Sequence, residues 1–303
     1  MVVARSRYEY EFDPTRRNQT SSSVFELARD TGPDVLDLGS GPGIVSGALA
    51  RMADKRVTCV DLDPDHLEAA AERGVARTIQ SDLTDSKWSE QLVGERFDAI
   101  ILADVLEHLV DPGALLRRIR DQELLADSGH LVISIPNAAH ISMLAVLAAG
   151  DFPYRPTGLL DETHLRFFTL ESMRRLLEEV GFGITRIRRT TKTFERTEFA
   201  GFADRVDTDL LTRLAVHPEH ETYQFILRAE PLHRLASGTQ QLEAEVERLR
   251  RREKKARRRA LELEAEVQRL QQRVEQVYAS STWKVGRAVV GGPAAVRRSL
   301  RRG

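Results

Sequence analysis

Residues 35–43 constrain this chain more than any other stretch: Val35-Leu36-Asp37-Leu38 followed by Gly39-Ser40-Gly41-Pro42-Gly43. A short apolar strand carries an acid and runs into a loop with glycine at every second position. Ile44 then opens an apolar helix. A backbone without Cβ atoms at 39, 41 and 43 can turn sharply and approach a ligand closely, and the amides of the following helix N-terminus face that ligand. A dinucleotide site would need G-x-G-x-x-G. The position three after Gly41 is Ile44, so that fingerprint fails. An acid two residues before the first glycine suits a nucleoside that bears an amino acid, because its ammonium group seeks a carboxylate.

From residue 24 onward, helix and strand patterns alternate. The expected helices are 24–30, 44–52, 65–74, 112–125 and 170–180, the last closed by Gly181. The expected strands are 34–38, 56–62, 78–80, 97–103, 130–136, 182–188 and 223–228, several of them rich in β-branched residues. The stretch 138–169 reads as an irregular insert. Repeated βα units of this length predict an α/β fold, a doubly wound and mostly parallel sheet covered by helices on both faces.

Two further acids close strands after the glycine loop. Asp61 follows Asp37 by 24 residues, in Val60-Asp61-Leu62, and Asp82 stands in Ser81-Asp82-Leu83. Ligands of doubly wound folds bind outside the carboxyl ends of the strands, where an acid accepts ribose hydroxyls. Asp82 is placed to accept from an adenine amino group, with Leu83 beside the ring. The constellation resembles the class I S-adenosylmethionine (SAM) methyltransferases over residues 24–230. The resemblance implies a seven-stranded Rossmann-like sheet with one antiparallel strand, and SAM as cofactor. Its implied contacts are Asp37, Gly39, Ser40, Gly41 and Gly43 at the methionine end, Asp61 and Leu62 at the ribose, and Asp82 and Leu83 at the adenine. Ala103, at the end of the fourth strand, completes the set.

The segment Asp104-Val105-Leu106-Glu107-His108 resembles the acid-x-x-Glu-His stretch of ubiquinone-biosynthesis O-methyltransferases. His108 is a candidate base, a candidate cation ligand with Asp104 and Glu107, or a packing residue at a helix start. The insert holds Asp161-Glu162-Thr163-His164-Leu165-Arg166-Phe167-Phe168-Thr169, which resembles a segment of bacterial methyltransferases encoded with glycan-building enzymes. His164 is the preferred general base, since an acceptor hydroxyl must lose a proton during attack; its alternative is a loop histidine that fixes the insert. Arg166 would hold an anionic acceptor or pair with Asp161 or Glu162. Asp151-Phe152-Pro153-Tyr154 reads as a lid with aromatic edges, and Thr169 as the cap of the next helix. Two chemistries are excluded. No Asn/Asp-Pro-Pro-Tyr/Phe follows the fourth strand, as amino-methylating nucleic-acid enzymes require, and Cys59 lies inside a strand, not where a cytosine-C5 nucleophile would stand.

The formal charge of −1 hides an asymmetry: residues 231–303 carry 18 Lys/Arg against 8 Asp/Glu, a net +10, and residues 1–230 a net −11. Within 237–279 a heptad register places Val246, Val267 and Val274 at a, and Leu242, Leu249, Leu263 and Leu270 at d. That pattern favours a parallel two-stranded coiled coil, hence a homodimer or a partner protein, with a single solvated helix as the alternative. The basic tail 280–303, with Trp283 and Lys284, reads as a peripheral membrane contact or a frayed terminus. Basic residues alternating with Glu argue against nucleic acid. The alternative readings of function are an RNA- or ribosome-associated methyltransferase and a non-catalytic SAM-binding scaffold. The implied acceptor is a small molecule or glycan. A polar N-terminal segment, 1–23, and a single cysteine set the expectation of a reducing, cytoplasmic location.

Overall fold

The structure, a computed structural model, describes residues 12–85 and 87–236, and beyond these only positions 259, 267–270, 272–273 and 276. The coiled coil expected at 237–279 lies outside the described residues apart from those scattered helical positions, and the basic tail 280–303 lies wholly outside them. The chain divides into two units, 1–236 and 237–303. No helix among the described residues is long and apolar enough to cross a membrane.

Helix α1 (Thr20–Arg29) leads into β1 (Asp34–Leu38), α2 (Ile44–Ala53), β2 (Arg56–Asp61), α3 (Pro64–Glu72), β3 (Arg77–Gln80) and β4 (Phe97–Ala103). Then follow α4 (Pro112–Asp121), β5 (Leu125–Pro136), α5 (Ile141–Ala148), α6 (Leu170–Glu179), β6 (Phe182–Thr191), α7 (Thr208–Leu214) and β7 (Thr222–Pro231). The seven strands form one sheet in the order β3-β2-β1-β4-β5-β7-β6. β7 alone runs against its neighbours, antiparallel to both β5 and β6. The predicted doubly wound sheet with one reversed strand is therefore the fold observed.

Local chemistry sets the element ends. Asp63 caps α3 ahead of Pro64, accepting from the Asp65 amide, and Asp111 caps α4 ahead of Pro112. Thr169 and Ser172 form a reciprocal capping box on α6, the cap anticipated from the sequence. One apolar layer holds Leu36, Leu38, Ile100, Leu102, Leu131 and Ile133 beneath α4 and α6, and the opposite layer packs α1 and α2 on Val35, Val57, Cys59 and Ile101. Burial pushes the Cys59 thiol up to about 12, so it is inert as a nucleophile.

Two expectations are corrected. The insert 138–169 is not wholly irregular, because Ile141–Ala148 is helix α5. It also does not stand alone: α5, Leu159 and Leu160 share a third core with Phe194, Phe199 and Phe202 from the β6–β7 connection. Helix 112–125 ends at Asp121 and Leu125 already belongs to β5.

Candidate active site

The strand order reverses between β1 and β4, and a crevice opens there at the carboxyl ends of the strands. A cleft of about 280 Å³ lies at this point, walled by the β1–α2 loop, Asp61, Ala103 and the start of α1. Gly39, Gly41 and Gly43 all have left-handed φ, of 71°, 52° and 69°. A Cβ on Gly39 would meet Val105 Cγ2 at 2.7 Å, and one on Gly43 would meet Ala70 Cβ at 2.6 Å. At Gly41 the same atom would meet nothing within 4 Å. The first and third glycines thus let the loop pack on its own fold, while the second leaves open space.

Two acids bracket this loop. Asp37 is buried and receives a hydrogen bond from Ser46 Oγ. Burial raises its carboxyl to about 7, with Ser46 opposing the rise and Asp61 adding to it. Asp61 accepts from the Gly41 amide at 2.7 Å and the Asp63 amide at 3.0 Å, and lies 3.4 Å from His66 Nδ1. A buried acid, a second acid and an open glycine loop suit a ligand that carries an ammonium group and vicinal hydroxyls. Of the predicted cofactor residues, Asp37, Gly39, Ser40, Gly41, Asp61 and Ala103 line the cleft; Gly43 supports it from behind. Leu62 is exposed, Leu83 packs at the edge of the apolar layer, and Asp82 accepts from the Thr84 amide and hydroxyl at 2.8 and 2.7 Å. These three stand outside the cleft walls. Sequence reasoning missed Thr20, Ser21 and His66, which line it. The polar run Thr20-Ser21-Ser22-Ser23 ahead of the apolar part of α1 was the available signal.

A second cavity, about 340 Å³, shares Asp104 and His108 with the first. Asp104 sits at φ 55°, a conformation that side chains rarely adopt. Its carboxylate accepts from Ser134 Oγ at 2.6 Å and Gln224 Nε2 at 3.0 Å. Gln224 in turn receives the Thr20 hydroxyl, so the network runs from α1 through β7 to the end of β4. The insert is pinned from the other side: the amides of Leu165 and Arg166 both donate to the Glu107 carbonyl, at 2.8 and 2.9 Å. These bonds bring the His108 and His164 rings together, with centroids 4.9 Å apart. His108 Nδ1 lies 3.2 Å from the Thr163 carbonyl, and His164 Nδ1 lies 3.3 Å from that of Leu159. Burial, then the neighbouring His108, lowers the affinity of His164 for a proton and so favours the neutral ring.

Arg166 is engaged on the backbone. Its guanidinium donates to the Val110 carbonyl, 3.1 Å from Nε, which clamps the insert to the loop before α4. The aromatic residues of 151–154 come together with the insert: Phe152 meets Tyr154 and Phe167 edge-on at 5.3 and 5.6 Å, and Phe167 lies 6.3 Å from His164. Lys192 Nζ lies over the Tyr223 ring at 3.5 Å, beside this cavity; sequence reasoning gave neither residue a role.

A family model described as "Methyltransferase domain" matches residues 12–187, more than half of the chain. The chain belongs to the methyltransferase-domain family. The cofactor of that family is SAM, and the acids and glycine loop of the first cleft fit it. Among curated proteins it is 33% identical over 144 residues to the ubiquinone biosynthesis O-methyltransferase of Xanthomonas oryzae pv. oryzae (strain PXO99A), covering 46% of this chain and 57% of that one. It is 37% identical over 123 residues to the enzyme of the same name from Xylella fastidiosa (strain 9a5c), covering 39% and 48%. The chain thus spans about half the length of these curated relatives. Similar solved structures include magnesium protoporphyrin IX methyltransferase (ChlM) from Synechocystis PCC 6803 with bound SAH, at 19% identity and a TM-score of 0.47, covering 70% of this chain and 82% of that one. A SAM-dependent methyltransferase from Archaeoglobus fulgidus gives 16% and 0.48, covering 69% and 91%.

Proposed function

We propose that this methyltransferase transfers a methyl group from SAM to a hydroxyl of a glycan, glycolipid or related small molecule. The observation that carries the reading is the pair of imidazoles, His108 and His164, in a second cavity that shares Asp104 and His108 with the cofactor cleft. When bound, SAM supplies a methyl on a positively charged sulfur, already activated for transfer. The chain's own task is to hold the acceptor in line and to help its hydroxyl lose a proton. An imidazole whose affinity for a proton is lowered by burial, as at His164, suits the second task. Phe152, Tyr154 and Phe167 form an aromatic edge suited to a sugar face or a ring. The curated relatives' names, ubiquinone biosynthesis O-methyltransferase, support oxygen as the atom methylated.

In this reading Asp37 and the loop Gly39, Ser40, Gly41 and Gly43 hold the methionine end, Asp61 with Leu62 the ribose, and Asp82 with Leu83 the adenine, Ala103 lying beneath. The C-terminal heptads would join a second copy or a partner protein, and the basic tail would meet an anionic membrane face. The test supplies methyl-labelled SAM and fractionated host extract to wild type and His164→Ala. Label in the glycan or glycolipid fraction, lost in the variant, supports the reading. Label in RNA or protein contradicts it, and no label in any fraction leaves SAM binding without turnover.

A further inference from the structure

Lys192 is the one lysine or arginine among the described residues that line the second cavity. It directly follows β6, and its backbone is fixed on both sides. The amide donates to the Glu221 carbonyl at 3.0 Å, and the carbonyl lies 2.9 Å from Nε2 of the buried His140. His140 Nδ1 accepts from the Ser142 amide, so Nε2 is the nitrogen that donates to Lys192. The Lys192 side chain is half-buried, with Nζ 3.5 Å from the centre of the Tyr223 ring. That ring covers one side of the ammonium. Among the described residues no oxygen accepts from Nζ, and no carboxylate lies within ion-pair distance of it. An ammonium has three donors, and taking it out of water without an acceptor is costly. Burial accordingly lowers the affinity of Lys192 for a proton, with the charge of Glu198 opposing.

The neighbouring acids are engaged elsewhere. Glu198 accepts from the Leu159 amide at 2.6 Å and from the Tyr223 hydroxyl at 3.0 Å. Gly158, at φ 105°, makes room for it, because a Cβ there would run into Glu198 Oε1. Asp104 takes Ser134 and Gln224, and Asp161 takes the amide and hydroxyl of Thr163. Burial raises the affinity of Glu107 for a proton, which favours its neutral form. The acids of this cavity are thus supplied with donors or favoured neutral, while its one fixed cation lacks an acceptor.

We propose that Lys192 is an anion subsite of the acceptor cavity, and that the acceptor carries a carboxylate or phosphate beside the hydroxyl that takes the methyl. A bound anion would give the ammonium its missing charge-assisted hydrogen bond and offset the cost of its burial. Lys192 and His164 line the same cavity, so one ligand can reach both. The acceptor class would then be an acidic or phosphorylated sugar, or a ring acid. That the methyl goes to oxygen rests on the reading above; the anion subsite does not.

The experiment measures binding of three probes to full-length protein saturated with S-adenosylhomocysteine: methyl glucuronoside, methyl glucoside 6-phosphate and uncharged methyl glucoside. At least one anionic probe should bind wild type about 10- to 100-fold more tightly than the uncharged one, the span of one charged hydrogen bond. Which of the two binds better separates a carboxylate from a phosphate source. Lys192→Met keeps an apolar stem of similar length and should abolish the preference, while Lys192→Arg should retain it. Unchanged SAM affinity and circular dichroism check the fold of both variants. Equal binding of charged and uncharged probes by wild type, failure of both anionic probes to bind, or a preference that survives Lys192→Met overturns the subsite. Methyl-labelled SAM is followed in parallel. Anionic probes that bind through Lys192 while no hydroxyl compound gains the label retire the O-methylation reading and leave the subsite standing.

Discussion

The cofactor half and the acceptor half of this domain are built on different principles. The cofactor cleft centres on one strand–loop–helix unit, β1 to α2, with Asp61 delivered by the adjacent strand and the start of α1 and Ala103 completing its wall. Its chemistry is written within about 25 residues of sequence. The second cavity, proposed for the acceptor, draws Asp104, Glu107 and His108 from the end of β4, His164 from the insert, Lys192 from the end of β6, and Tyr223 and Gln224 from β7. The first half binds a fixed ligand with a rigid local motif. The second gathers its groups from four segments, and such a surface can change its acceptor by changing loops while the sheet stays the same.

The sharpest way to break this contrast is to damage the rigid half. Gly43→Ala combines a left-handed φ with a 2.6 Å clash against Ala70, and should cost about 2–5 kcal/mol of stability together with SAM binding. A thermal midpoint and SAM affinity equal to wild type would show that the loop is not packed as described. His164→Gln probes the other half: kcat should fall about 10²- to 10⁴-fold while the SAM dissociation constant stays within a factor of about two. If both change together, the two halves are not separable.

Asp37 gives a pH test. Its folded pKa of about 7 stands above the reference value of 3.8. Between those values the folded chain holds a proton that the unfolded chain has lost, so this group makes stability fall as pH rises from about 4 to 7, then level off. An ammonium-bearing ligand prefers the ionised carboxylate. SAM affinity should therefore rise by up to about tenfold per unit through pH 6 to 7 and flatten above. Asp37→Asn should remove that slope, and a titration with the slope intact would reassign it. The smallest effect is expected at the rim. Phe152→Ala should raise the acceptor KM several-fold, worth about 0.5–1.5 kcal/mol of aromatic contact, with kcat preserved.

What the sequence made legible follows the same division. The range of β1 and β4, the start of α2 and the cap of α6 are local signals and they hold, and the one reversed strand follows from the family resemblance. Helix α5 escaped notice because Ile141–Ala148 is apolar nearly all round, and burial on most sides erases the 3.6-residue period that marks a surface helix. The core under it depends on Phe194, Phe199 and Phe202, three aromatics in a stretch of otherwise polar character. Asp82 was assigned by its place at a strand end, and in the structure its carboxylate is engaged in a local turn with Thr84. Glu107 and His164 are 57 residues apart, and bonds from Leu165, Arg166 and Thr163 of the insert to the segment after β4 bring them together. Such bonds depend on chain path, which no residue type announces.

The central claim is that cofactor and acceptor chemistry occupy two adjoining sites with separate determinants. It is tested most directly by titrating SAM into wild type, Asp61→Ala and His164→Gln under one buffer. Wild type and His164→Gln should bind alike, and Asp61→Ala should bind roughly 10- to 100-fold more weakly, the loss of a charged hydrogen-bond acceptor worth about 1.5–3 kcal/mol. Equal affinity in Asp61→Ala, or a matching loss in His164→Gln, would contradict the account.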